Sequence, residues 1–158
     1  MRSFFEDEKW MSLAIEEARL AAREGEIPVG AVIVHDGEAI SLAHNACEKE
    51  KDATAHAECL AIREASKRLN SWRLSDVTLY VTMEPCPMCA GAAINARIPR
   101  IVFGTPDPRA GACGSLVNLP AYPLEERPEC QGGVLEEECR ALLQDFFSDM
   151  RKKRKNNA

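Results

Sequence analysis

The sequence predicts an α/β fold, a three-layer sandwich built on a mostly parallel sheet. Three observations carry that expectation. Four segments repeat apolar residues at three- and four-residue steps, the period of a helix. An Asp36-Gly37 pair divides two early β-branched runs, which marks a hairpin. Beyond the hairpin, strands alternate with helices, the order that builds a parallel sheet.

The first helix is expected over residues 5–23, where Trp10, Leu13, Ile15, Ala18, Leu20 and Ala21 form the apolar set. Gly25 stops it. Pro28 opens a strand over 29–35, and 38–45 returns after the turn. Residues 46–54 are polar and read as a loop. The second helix is expected over 55–69, with Thr54 as its N-cap. Leu60, Ile62, Ala65 and Leu69 supply its buried side. Residues 77–82 are rich in β-branched side chains and form a strand. Pro87 then starts a third helix, 87–96, at the position where a missing N–H costs little. A short apolar strand, 100–103, ends at Gly104. The stretch 105–132 is rich in Pro and Gly, and a fifth strand fits near 130–134. The last helix, about 135–153, takes Leu142, Leu143, Phe146, Phe147 and Met150 as its apolar set.

With 158 residues, the chain is expected to form one domain whose core needs no disulfide staples. A composition 46% hydrophobic and 28% charged excludes global disorder. No apolar run approaches the roughly 18–20 residues of a membrane span. The acidic residues 1–10 lack the basic-then-apolar pattern of a secretory signal. Seven cysteines in such a chain are expected to be reduced, buried or metal-bound, and the expected compartment is the cytoplasm. The net charge of −5 hides an asymmetry. Residues 151–155 are five consecutive bases; without them, 15 Lys and Arg face 25 Asp and Glu, a charge of −10. An acidic body with a basic end is not the footprint of a general nucleic-acid binder.

The strongest chemical signal is Pro85-Cys86-Pro87-Met88-Cys89, paired with the earlier His56-Ala57-Glu58. Two cysteines three positions apart at a helix start can hold one metal ion as thiolates, in the field of the helix N-terminus. His56 adds a neutral nitrogen. Three protein ligands with no evident fourth favour a catalytic zinc, which keeps one position open for water, over a structural one. Glu58 is the carboxylate such a site needs to move the water's proton. Residues two apart share no face of a regular helix. His56 and Glu58 can therefore meet in one pocket only at a helix's first turn. Singly, each feature has a plain structural reading: a redox or structural Cys pair, a capping histidine, a solvated glutamate. Their joint occurrence at two helix starts favours the catalytic one.

These residues resemble the signature of the zinc-dependent cytidine deaminase superfamily. The wider pattern is similar to the bacterial tRNA adenosine deaminases. It takes in Pro28-Val29-Gly30-Ala31-Val32, Thr54-Ala55-His56-Ala57-Glu58, Glu84-Pro85-Cys86, Cys89-Ala90-Gly91-Ala92, Ile101-Val102-Phe103-Gly104 and Gly111-Ala112-Cys113-Gly114-Ser115-Leu116. The resemblance implies a cytidine-deaminase-like α/β/α fold with a mixed, mostly parallel five-stranded sheet. Residues 1–150 would form the deaminase domain and 151–158 a basic C-terminal tail. The implied reaction is hydrolysis of the wobble adenosine of a tRNA anticodon to inosine, with release of ammonia. One zinc ion per subunit is implied, held by His56, Cys86 and Cys89 with a water or hydroxide as fourth ligand. Glu58 is the implied catalytic residue. Asn45, Val29 and Asp107 match substrate-binding positions. Phe147 is read either as a stacking platform for a flanking nucleotide or as ordinary helix core. The implied partners are the tRNA anticodon loop and a second copy of the chain, with no membrane.

The chain departs from that pattern where substrate beyond the base would sit. Pro106 and Pro108 flank Asp107, and three prolines interrupt residues 118–131. A second reading is a deaminase of a small free nucleobase or nucleotide such as guanine or cytosine. The acidic body supports it, because RNA binding draws on phosphate neutralisation. A third is a non-catalytic zinc module, which would have no use for Glu58. The basic run reads as a phosphate-binding segment beside RNA, and otherwise as a solvated, frayed end.

Overall fold

The structure is a computed structural model that describes residues 4–158; residues 1–3 of the expected domain lie outside the described residues. The elements are α1 (Phe4–Arg23), β1 (Gly30–His35), β2 (Glu38–His44), α2 (Cys47–Glu50), α3 (Ala57–Leu69), β3 (Val77–Met83), α4 (Pro87–Asn95), β4 (Arg100–Thr105), β5 (Glu129–Gln131) and α5 (Glu136–Asn156). One turn of 3₁₀ helix, Leu119–Ala121, interrupts the long segment before β5. No helix among the described residues is long and apolar enough to cross a membrane.

The five strands lie in the order β2-β1-β3-β4-β5. The sheet is mixed, as expected, but its balance differs from the mostly parallel one predicted. β1 runs antiparallel to both β2 and β3, while β3–β4 and β4–β5 are parallel. The reason lies in β1. The α3 crossover does join two strands of the same sense, β2 and β3, as a strand-helix-strand unit requires. β1 is inserted between them, so the parallel strands are not neighbours. β1 is buried along Gly30–Val34, as befits an inner strand, whereas β2 has one open edge.

Alternation along the inner strands divides the core in two. Ala31, Ile33, Leu79, Val81, Ile101 and Phe103 face α3 and α4. Val32, Val34, Tyr80 and Val102 face α1 and α5. On the first side the buried stripe of α3 is Ala57, Ala61 and Ala65 rather than the larger Leu60, Ile62 and Leu69; Ile62 and Leu69 pack at its margin. Small residues let the helix lie close to the sheet. On the second side a Cβ at Gly30 would lie 1.9 Å from the Ala14 carbonyl, so only glycine admits α1 at that distance. Buried Asp7 ties that layer together. It accepts a hydrogen bond from the Tyr80 hydroxyl at 2.8 Å and is clamped by both Arg100 Nη atoms at 2.8 Å.

Thr54 does not cap α3. His56 occupies the cap position, and Thr54 instead donates to Asp52 Oδ1 through both its backbone N–H and its hydroxyl. In α5 only Cys139 and Leu143 are buried. Phe147 and Met150, expected on the apolar face, stand open beyond the end of the core. The basic run 151–155 forms the last turns of the same helix.

Candidate active site

Two helix starts meet at one end of the sheet. His56 immediately precedes α3 and Cys86 immediately precedes α4, each with extended backbone. Cys89 is the third residue of α4 and is wholly buried. His56 Nδ1 lies 3.6 Å from Cys86 Sγ and 3.4 Å from Cys89 Sγ. The three ligand atoms lie within 4.8 Å of one another, the one such group among the described residues. Pro87 stands at the first helical position, where its missing N–H costs little, and the Cys89 main chain hydrogen-bonds Cys86. The Cys89 thiol and the His56 ring outweigh burial and hold the Cys86 thiol down to about 4, so it is a thiolate near neutrality. Cys89 is pushed in the opposite direction by its contacts with Cys59 and Cys86 and by burial. Cys59 Sγ packs 3.8 Å from Cys89 Sγ, beside the ligand group.

Glu58 is the second residue of α3, so it and His56 share the first-turn placement that their spacing requires. Its side chain is buried, and Oε1 has no hydrogen-bond partner. Burial raises its carboxyl above the usual carboxylate range. A buried carboxylate oxygen without a partner is rare and points to a group that the protein alone does not supply. Two sulfurs, one imidazole and an open fourth direction suit tetrahedral zinc of the catalytic kind. The residues present therefore fit the metal.

A cavity of about 210 Å³ opens beside this cluster. His56, Glu58 and Cys86 line its floor, and Val29, Asn45, Asp107 and Phe147 line its walls. Cys89, wholly buried, is not among the lining residues. Asn45 Oδ1 accepts the Ala57 backbone N–H at 2.8 Å, which satisfies one free donor at the start of α3. Phe147 does not pack as helix core: it is 40% exposed and meets Phe146 edge-to-face with ring centroids 5.6 Å apart. Asp107 forms a local turn, its Oδ1 accepting the Arg109 N–H at 3.0 Å.

Sequence reasoning gave no site role to Ile27, Met83, Glu84, Ala110 and Leu143, which also line the cavity; Leu143 was expected only as helix core. Glu84 carried a signal, an acid placed between an apolar strand and the Cys86 turn. The others had none, because lining a cavity is not a local property.

A model of the MafB19-like deaminases matches residues 5–151. The chain belongs to this deaminase family. The deaminase is 50% identical to a tRNA-specific adenosine deaminase of Bacillus subtilis over 151 residues, covering 95% of this chain and 94% of that one. It superposes with a TM-score of 0.83 and 42% identity on a structure solved in work on A-to-I editing by tRNA:A34 deaminases, covering 85% of this chain and 99% of the other. A guanine deaminase structure from Bacillus subtilis is similar at 37% identity and a TM-score of 0.63, covering 78% and 83%.

Proposed function

We propose that this deaminase hydrolyses the wobble adenosine of a tRNA anticodon to inosine, with water consumed and ammonia released. The observation that carries the reading is the unpartnered Glu58 oxygen beside the His56, Cys86 and Cys89 group, in a cavity large enough for a base. Relatives that match along nearly their own whole length as well as this chain's are named tRNA-specific adenosine deaminases, which supports the RNA substrate.

His56, Cys86 and Cys89 would hold the zinc ion. Zinc bound there makes water available as a nucleophile near neutral pH. Glu58 would carry the water's two protons in turn, the first to the ring nitrogen, where inosine keeps it, and the second, from the added hydroxyl, to the departing amine, which leaves as ammonia. Its burial keeps bulk water away from the transfer. The Asn45 Oδ1 is engaged by Ala57, so its NH₂ is the group left to donate to an acceptor on the purine edge. Val29 forms the apolar wall against the ring. Asp107 offers an acceptor to a ribose hydroxyl or an exocyclic amine. Phe147 at the rim gives the neighbouring base a stacking face.

Residues 1–150 would act as one catalytic domain and 151–158 as its basic end. A groove runs from Phe147 and Leu143 past Pro106 and Pro108 to Arg140 and Arg151, a course suited to an RNA backbone. A second copy of the chain completes the reading. α4 carries no charged residue and leaves Met88 open. The 3₁₀ turn packs on α4, and its surroundings expose Leu116, Val117, Tyr122 and Leu124. Apolar surface of this kind supports a homodimer.

The guanine deaminase likeness and the body charge of −10 favour one alternative, a free nucleobase as substrate. Zinc-loaded protein is incubated with an anticodon stem-loop carrying a wobble adenosine, and separately with free bases and nucleosides. Inosine in the RNA is the expected product. Ammonia from a free base with no inosine in the RNA would transfer the reading to the alternative.

A further inference from the structure

Glu84 has no part in the chemistry above, yet it is 3% exposed. It lies between the end of β3 and Cys86. Its carboxylate gathers four donors, all from the loop that follows β4. The Asp107 N–H donates to Oε1 at 3.2 Å, and the Cys113 and Ser115 N–H groups donate to Oε2 at 3.0 and 3.1 Å. The Ser115 hydroxyl donates to Oε1. A carboxylate has about four lone-pair sites, so the loop occupies all of them. The fit is also steric: a Cβ at Gly111 would lie 2.4 Å from the Glu84 carboxylate. Two main-chain bonds extend the seam, Glu84 N–H to the Thr105 carbonyl at 2.9 Å and Ala112 N–H to the Pro85 carbonyl at 2.8 Å.

A buried carboxylate is costly unless charge-assisted hydrogen bonds compensate it, and here they come from one loop only. That loop carries Asp107 and Ala110 into the cavity wall. Glu84 itself is two residues from Cys86. We infer that Glu84 is a positioning residue, which sets the Asp107 wall of the pocket in register with the metal-binding turn. With its oxygens committed to the loop, it aligns the base against Glu58 without touching the reacting atoms. The inference rests on the deaminase reading of the cavity.

The test uses zinc-loaded, full-length Glu84→Gln and Ser115→Ala. Hydrogen exchange is followed at the Asp107, Cys113 and Ser115 amides, together with zinc content and with KM and kcat on the anticodon stem-loop. Glu84→Gln keeps the shape but replaces one acceptor oxygen by a donor. Exchange at the three amides should quicken about tenfold or more, and KM should rise about tenfold, the scale of one lost charge-assisted hydrogen bond. The fall in kcat should be smaller than the rise in KM, and zinc should stay at one per chain. Ser115→Ala, which removes one donor and leaves the charge, should move the same readouts in the same direction by a smaller factor. A purely structural role would lower the melting temperature and leave KM unmoved. Unchanged exchange and KM in folded Glu84→Gln would overturn the inference; so would zinc loss with the loop amides still protected. Should Glu84→Gln not fold, Ser115→Ala decides by the same criteria. The exchange readout needs no RNA turnover, so failure of the RNA reading and failure of this inference are separately visible.

Discussion

The cavity has two unlike walls. On one side His56, Glu58 and Cys86, with Cys89 beside them, stand at the caps and first turns of α3 and α4, buried or half-buried. On the other, Asp107 rides on a proline-flanked loop and Phe147 on the open face of α5. The first wall is built from main-chain geometry that a helix start dictates. The second is held by a few side-chain bonds and borders solvent. Chemistry needs fixed distances, whereas an RNA loop must enter and leave, so the proposed function assigns the reaction to the rigid wall and recognition to the open one.

The largest effect should come from the rigid wall. Glu58→Gln removes the proposed proton carrier and should lower kcat on the stem-loop by about 10³-fold, with zinc content and KM little changed. A variant that kept a tenth of wild-type kcat would break the division between the walls. Phe147→Ala tests the open wall. Loss of one stacking platform should raise KM about tenfold and spare both zinc and kcat. A matching fall in kcat would instead place Phe147 with the chemistry.

Truncation after residue 150 should act more weakly and over a longer range. It removes the five bases of the last turns of α5. Binding should weaken at low salt, and the log–log salt slope should flatten by roughly 0.7 for each phosphate no longer neutralised. An unchanged slope would leave those bases as solvated surface.

The smallest effect concerns the brace beneath Asn45. His44 Nδ1 lies 2.6 Å from Glu17 Oε2 and its Nε2 lies 3.2 Å from Glu24 Oε2. Burial lowers the imidazole, but the two carboxylates outweigh it and raise the pKa above 6.5. A raised folded pKa means that protonated His44 stabilises the fold. That contribution is complete below about 6.5 and is lost as pH rises through the folded value. Thermal melts of wild type and His44→Gln should therefore differ most at pH 5–6 and converge above the folded pKa. Curves that stayed parallel across that range would remove His44 from the brace.

Much of the rigid wall was legible in the residues. Cys86-Pro87-Met88-Cys89 marks the two sulfurs that the structure gathers with His56 and marks the helix start with them, because Pro87 suits the first turn and thiolates suit the field there. The spacing of His56 and Glu58 demanded a first turn, and α3 begins there. The Thr54 cap failed because Asp52 lies two residues away and binds both its donors, a competition that propensity does not weigh. The buried face of α3 was misjudged for a related reason. Ala65 is buried as expected, but size suggested Leu60, Ile62 and Leu69 beside it, where the closeness of helix and sheet selected Ala57 and Ala61.

By itself the sequence determined the alternation of helices and strands, the grouping of His56, Cys86 and Cys89, and the acid on the first turn beside them. Those follow from periodicity and from side-chain chemistry at short spacing, which neighbouring residues set between themselves. Only the tertiary structure decided that β1 would sit between β2 and β3, so that half the strand pairs are antiparallel. Only it brought Phe147 out of the core to the cavity rim and closed the 105–116 loop on Glu84. These pairings join residues tens of positions apart, and their free energy comes from burial and hydrogen bonds that exist only once the layers have packed.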